Sequence, residues 1–346
     1  PHEAPLPESN GTIDWMDALD GDRVFVHVTE ELAAIHDISV TEDHVGKKKE
    51  IFEGIRADES DDEIARRVDT AKKTVQSYRR QATPLDLDGT STVCSLSHLR
   101  SLDATRDSLR EHVLAIQYVS PYNRRSRPIE PPWELTPKLA AFIGLSLSEA
   151  RVESARIKFY NNSEELLEQF SGAARDSFGI EPKQGEQKGV EYRSINNRTV
   201  VHYLRRCFAV FAESSVIGSS LVCAPTEARR AFLRAVFDAE GHVQEKGILE
   251  LTQKDGDVIT LLSYLLAGEG VPTRRKTKHK AATNGSGTKR PYHVLFLSGA
   301  ATLSRFEERI GFTLSTKAER LSKNAERAGD PNHDTIPVQS AVDDLC

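Results

Sequence analysis

The sequence predicts an α/β (α+β) protein of two pseudo-symmetric repeats, preceded by a small all-α domain. Three observations carry this. Two apolar helices, Leu139–Glu149 and Ala231–Glu240, end on an acid and place small residues at matched positions. Each acid is followed by a strand-like run, a helix and a glycine with a β-branched residue, Gly179-Ile180 and Gly270-Val271, and both pairs close 31 residues after their acid. Upstream, Ile51, Ile55, Ile64, Val68, Val75 and Tyr78 recur at helical spacing. The repeat has a period of 91 residues, from Glu149 to Glu240.

At 346 residues, two or three domains are expected. A content of 38% hydrophobic and 28% charged residues excludes a disordered chain. No apolar run approaches the ~18 residues of a membrane span, so no membrane partner is expected. Cys94, Cys207, Cys223 and Cys346 show no CxxC pairing, which argues for reduced thiols in the cytoplasm rather than zinc or disulfides. The net charge of −6 argues mildly against nucleic acid, although local patches decide that question. The chain starts at Pro1 without Met and stops at Cys346, so a piece of a larger host polypeptide is expected.

Residues 1–40 form an N-terminal segment. Its Gly21–Val28 run alternates Val24, Val26 and Val28 as a short strand. Gly21-Asp-Arg-Val24 is similar to strands of intein splicing domains over a short stretch, which leaves an unrelated strand or a splicing-domain remnant. Residues 41–83 form the all-α domain. Ser60 with Glu63 is a capping box that starts one short helix, and Ala71–Arg80 forms the next. Packing Ile64, Ala65, Val68, Val75 and Tyr78 together leaves Lys72, Lys73, Gln76, Arg79 and Arg80 outside. The pattern resembles a helix-turn-helix module, which implies that these five residues contact DNA. Residues 84–132 are expected to be a helical and Pro/Arg-rich connector, with Ser95–Ile116 helical. Thr136 and Pro137 then start the first long helix.

The repeats span 133–224 and 225–325, and 326–346 form a tail. Gly144, Ser148, Ala235 and Ala239 are the small residues through which the two acid-ended helices are expected to pack. Gly241 is expected to stop its helix by adopting positive φ. A carboxylate at a helix C-terminus faces a negative potential, so Glu149 and Glu240 call for a cation. Arg274–Lys280 is a basic strand, with Arg274, Arg275, Lys276, Lys278 and Lys280, and it returns through Lys289, Arg290 and Tyr292–Leu297. Such a hairpin suits a DNA groove. In the first copy Arg193, Asn196 and Arg198 hold the comparable region.

Paired helices ending on an acid, each followed by strand, helix and Gly-Ile or Gly-Val, resemble the LAGLIDADG (DOD-type) homing endonucleases. The ending Leu297-Ser-Gly-Ala with Phe306–Phe312 and Lys317 is similar to the close of intein-borne members. The resemblance covers residues 133–325. It implies a mixed β saddle, a pseudo-symmetric monomer, double-stranded DNA as partner, an archaeal intein setting and metal-dependent cleavage of both strands of a long site. Glu149 and Glu240 would be the catalytic and metal-binding acids. Hard Mg²⁺, or Mn²⁺, wants carboxylate and phosphate oxygens, and Lys276 or Lys278 would stabilise the developing charge. The Cys or Ser and the His-Asn pair that protein splicing needs are not in this stretch. Ala150 stands where the family has Gly. That departure sets the alternative, a catalytically degenerate LAGLIDADG/helix-turn-helix regulator that binds DNA without cutting it, or an inactive intein remnant that only stabilises an intein.

Overall fold

The computed structural model describes residues 11–38, 47–81, 91–121, 126–208, 219–281 and 289–326. The described residues open with α1 (Trp15–Ala18), β1 (Val24–Thr29) and α2 (Glu30–Ile35). The expected strand is therefore present, with Val24, Val26 and Val28 buried. Three helices follow, α3 (Lys47–Arg56), α4 (Asp61–Arg67) and α5 (Lys72–Gln81). They share a small core of their own, built from Ile51, Phe52, Ile55, Ile64, Ala65, Val68 and Val75, with Tyr78 edge-on to Phe52. The capping box forms: Ser60 N donates to Glu63 Oε2 at 2.9 Å and Glu63 N donates to Ser60 Oγ at 3.3 Å. Asp69 makes the tight turn into α5 at φ 51°, a left-handed conformation that Asp tolerates.

The stretch expected to be a helical connector folds otherwise. It contains β2 (Ser91–Ser95), α6 (Leu96–Arg100), α7 (Arg106–His112) and β3 (Val113–Tyr118). Strands β2 and β3 pair antiparallel with the two edges of β1. Segments 1–40 and 84–132 thus close one sheet, and the helical domain is inserted between them. Helix periodicity misled here because the Leu run of α6 and α7 merges into the apolar β3 without a turn signal; only the pairing with β1 separates them.

The two repeats follow. The first is α8 (Pro137–Glu149), β4 (Ala150–Val152), β5 (Ile157–Tyr160), α9 (Glu164–Phe178), β6 (Lys183–Gln187), β7 (Val190–Ile195) and α10 (Arg198–Phe208). After the short α11 (Ser219–Val222), the second is α12 (Thr226–Glu240), β8 (His242–Gln244), β9 (Ile248–Gln253), α13 (Gly256–Gly268), β10 (Arg274–Ala281), β11 (Lys289–Ser298) and α14 (Ala300–Arg309), with α15 (Ser315–Ala325) beyond it. Each half is αββαββα. The sheets run β4-β5-β7-β6 and β8-β9-β11-β10, the same order in both halves. Every pairing is antiparallel, so the saddle is not mixed: the hairpins join neighbours, and α9 and α13 send the chain back against β5 and β9.

Local signals set the element ends. Thr136 Oγ1 accepts Leu139 N at 3.2 Å, with Pro137 in the first turn of α8. Gly179 closes α9 at φ 62°, and Gly270 follows α13 at φ 69°. One large core joins the N-terminal sheet to both halves. Trp15 and Trp133 meet edge-on within it, with ring centroids 5.1 Å apart.

Candidate functional site

Helices α8 and α12 pack directly against each other. Gly144 makes this possible: a Cβ there would lie 2.7 Å from Phe232 O, 3.1 Å from Ala235 Cβ and 3.3 Å from Val236 Cγ2. Ala235 is buried, while Ser148 and Ala239 are half-buried. Ser148 Oγ turns back to donate to Gly144 O at 2.9 Å rather than across the interface. The paired helices carry Glu149 and Glu240 to the same end of the molecule, where burial pushes both carboxyls up from the ordinary range. For Glu240 burial is the larger cause and the charge of Glu149 adds to it, which takes the carboxyl to about 7. Burial disfavours the charged form, and a like charge nearby disfavours it again.

Each acid is held by an amide from its own half. Asn161 Nδ2 donates to Glu149 Oε2 at 2.9 Å, and Gln253 Nε2 donates to Glu240 Oε1 at 3.2 Å. The register makes these two amides equivalent. Val152 pairs with Ile157 and Val243 with Leu249, so Asn161 and Gln253 each stand four residues beyond the matching strand position.

The cation that acts on both acids is Lys317, on the first turn of α15. Its Nζ donates to Asp238 O at 2.5 Å and to Phe237 O at 3.2 Å. Burial lowers its pKa; Asp238, Glu149 and Glu240 work against that shift. The fully buried carboxylate of Asp238 accepts Thr313 N at 2.9 Å and Leu314 N at 3.2 Å, which fastens the start of α15 to α12. Sequence reasoning missed Asn161, Gln253 and the place of Lys317, which reach the acids through tertiary contacts, and Asp238, which reaches the start of α15 and Lys317. The one available signal was Lys317 in the repeat ending.

Lys276 and Lys278 lie elsewhere. Residues directly opposite on neighbouring strands share a face. Arg274, Lys276 and Lys278 stand opposite Phe296, Val294 and Tyr292, on the face away from the helices. Lys278 Nζ lies 5.0 Å from the Phe296 ring centroid and 3.9 Å from Glu250 Oε2. Lys280 is opposite Arg290 in the same register, and Lys289 begins β11. Arg275 takes the other face, where its Nη1 donates to Thr260 Oγ1 of α13 at 3.0 Å; the strand alternation turns it to the helix layer and away from the saddle.

Arg193 is a correction of the same kind. It is 4% exposed, pairs opposite Phe159 on the helix face, and its Nη2 donates to Glu164 Oε1 at 2.9 Å. The open face of the first half presents Lys158, Tyr160 and Tyr192 instead, with Lys158 Nζ 4.3 Å from the Tyr192 ring centroid. Asn196 is exposed between β7 and α10, and Arg198 starts α10. In the helical domain, Lys72 pairs with Asp62 at 2.6 Å and Arg79 with Asp61 at 2.8 Å. Lys73 is exposed and Gln76 is half-buried on the same helix, and Arg80 lies in its last turn.

Ala150 does not distort its helix end. It adopts φ −92° and ψ 141°, and Gly241 adopts φ −69° and ψ 137°. The expected positive φ at Gly241 is absent; a Cβ there would lie 2.5 Å from Phe237 O, so close packing favours glycine. Both halves leave their helix in the same extended conformation, with or without a Cβ.

The donor set suits a hard divalent cation. Two carboxylates flanked by amides offer oxygen ligands, and two half-buried acids with raised pKa call for positive charge. Among the described residues no group of three or more His, Cys, Asp or Glu forms a closed metal cage. An open pair of carboxylates is what a shared phosphate and water would complete. No helix of the described residues is long and apolar enough to cross a membrane.

The chain is 33% identical over 113 residues to the replication factor C small subunit of Thermococcus kodakarensis, covering 32% of this chain and 12% of that protein. It is 26% identical over 187 residues to elongation factor 2 of Methanopyrus kandleri, covering 53% of this chain and 14% of that protein. The chain thus spans less than a sixth of these relatives. Among solved structures, variants of the homing endonuclease I-DmoI align over 51% of this chain and 96% of theirs, at 15% identity and a TM-score of 0.39. Full-length DUF199/WhiA aligns over 62% of this chain and 69% of its own, at 13% identity and a TM-score of 0.38. Residues 227–311, from α12 to just past α14, match the family described as the LAGLIDADG-like domain.

Proposed function

We propose that this chain is a site-specific DNA endonuclease of the LAGLIDADG type, carried as an intein-type insert within a larger archaeal host polypeptide in the cytoplasm. One observation carries the reading: Glu149 and Glu240 stand at matching ends of two packed helices, each with its own amide, beside the half-buried ammonium of Lys317. A two-fold arrangement of acids suits the two strands of a duplex, which run in opposite directions. The insert reading is supported by relatives with unrelated names, each matched over a small share of its own length.

Glu149 and Glu240 would hold Mg²⁺ or Mn²⁺, which supplies an activated water and stabilises the leaving oxygen. Asn161 and Gln253 orient the carboxylates. Lys317 places positive charge where negative charge grows. The open saddle faces, with Lys276 and Lys278 in one half and Lys158 in the other, suit the duplex backbone. Helices α4 and α5 would extend the footprint as a helix-turn-helix.

The test uses a duplex that the chain itself selects from a random pool, incubated with Mg²⁺ or Mn²⁺. Cleavage of both strands is expected, and Glu149→Gln or Glu240→Gln should abolish it while leaving binding intact. A chain that retains the duplex but never cuts it would establish the alternative, a DNA-binding regulator or an inactive remnant.

A further inference from the structure

The two saddle faces carry opposite charges at one matched position. Asn161 and Gln253, which hold the two acids, mark equivalent ends of β5 and β9. Three residues before them stand Lys158 and Glu250. Ile157 and Phe159 are fully buried on the helix side of β5, and Leu249 and Leu251 on that side of β9. Strand alternation therefore turns Lys158 and Glu250 to the open faces. Lys158 lies opposite Arg151 and Ser194, with its Nζ 4.3 Å from the Tyr192 ring centroid. Glu250 lies opposite His242 and Phe296. Lys278 Nζ is 3.9 Å from its Oε2, beyond hydrogen-bond reach. A carboxylate at this place repels the phosphates that Arg274, Lys276 and Lys278 on the same face attract.

We infer that Lys158 and Glu250 are specificity-determining residues, reading guanine in one half-site and cytosine at the matched position of the other. This rests on the duplex-binding part of the reading above. In the major groove guanine presents two acceptors, O6 and N7, and cytosine presents one donor, its N4 amino group. An ammonium meets phosphate oxygens and the guanine acceptors alike. A carboxylate is satisfied only by a donor. Adenine also has an amino group, but its N7 acceptor stands beside it and repels a carboxylate, which leaves cytosine. An ionised carboxylate has about four lone-pair sites, so Lys278 leaves Glu250 able to accept from a base. Two halves with like residues at matched places would read a palindrome. Opposite charges there call for one DNA strand with guanine at both positions, where a palindrome has guanine and cytosine.

The experiment incubates the full chain with a random duplex pool in Ca²⁺, sequences the retained duplexes and measures affinity for single-base variants of the selected site. Guanine should be enriched on one strand at two positions equidistant from the centre. Replacing the base pair read by Glu250 should weaken binding about tenfold. Glu250→Lys should turn that half-site from cytosine to guanine on the contacted strand and make the selected site palindromic at this pair. Glu250→Gln should move it toward adenine, whose N6 and N7 an amide pairs with. Melting temperatures report that both variants fold. If Glu250 serves only to hold Lys278, both variants weaken every duplex alike and leave the base preference unchanged, which overturns the inference. A selected site with no preference at these positions, or with a palindromic pair, also overturns it and leaves duplex binding standing. Binding is the readout, so a chain that retains its selected duplex without cutting it loses the nuclease reading and keeps this one. Retention of no duplex overturns both.

Discussion

The helical domain and the second-half saddle each present a row of cations, and they hold them in opposite ways. On α5, Lys72 and Arg79 are bound by Asp62 and Asp61, acids of the first turn of α4, and Arg79 Nη2 also donates to Glu59 O at 2.5 Å. On β10, Lys276 and Lys278 project from an eight-residue strand beside aromatic and apolar neighbours, with one acid, Glu250, 3.9 Å from Lys278. The two surfaces are built on separate cores as well, a small one under α3–α5 and a large one under the repeats. A tally of basic residues treats the surfaces as equals. Their ion pairing makes the saddle the stronger electrostatic partner for a phosphate backbone and the helical domain the weaker one.

The largest expected effect tests that ranking directly. Removing one cation from a DNA phosphate flattens the dependence of log affinity on log salt by about 0.9. Lys276→Ala with Lys278→Ala should therefore lower the slope by about 1.8, whereas Lys72→Ala with Arg79→Ala should change it little. Asp61→Asn with Asp62→Asn should raise the contribution of α5, because it frees both cations. Equal reductions from the two double variants, measured by duplex titration across salt concentrations, would break the comparison.

A smaller effect separates the two cores. Val75 is fully buried in the helical domain, and Val75→Ala should cost about 2 kcal/mol there. Gly144→Val forces a side chain against Phe232 O and Ala235 and should cost about 1–3 kcal/mol in the repeat pair. Calorimetry should show two transitions, each variant lowering its own. A single transition that moves with both would show that the cores melt as one unit.

The smallest effect is in pH, and the two regions should respond with opposite sign. Hydrogen bonds from Ser60 hold the Glu63 carboxyl below its ordinary range, so its contribution is present above about 4.5 and lost as pH falls below that value. Burial and the Glu149 charge raise Glu240 from 4.5 to about 7, so its folded state favours the protonated form. That contribution is full below 4.5 and is lost as pH rises toward and past about 7. The repeat-pair transition should move up on acidification from pH 8 to 5, and Glu240→Gln should abolish much of that movement. No change of trend in the variant would assign the pH response to other groups.

The sequence by itself determined the features that are local and repeated. Helix starts at Thr136 and Ser60 follow from side chains within three residues of the backbone groups they satisfy, and the helix stop at Gly179 follows from a residue free to take φ 62°. Small residues at Gly144 and Ala235 specified the helix pair, and the matched acids specified where it ends. The tertiary structure decided what depends on a distant partner. Strand alternation alone left open which face of β7 and β10 meets the helices, so Arg193 and Arg275 turned inward although their neighbours remain on the saddle. Pairing with β1 converted an apparent helical connector into two strands and two short helices. The cation beside the acids comes from Lys317, 77 residues beyond Glu240, because only folding brings the start of α15 onto the last turn of α12. Local propensity carries no information about contacts across such separations; burial and hydrogen bonding at the packed site select them.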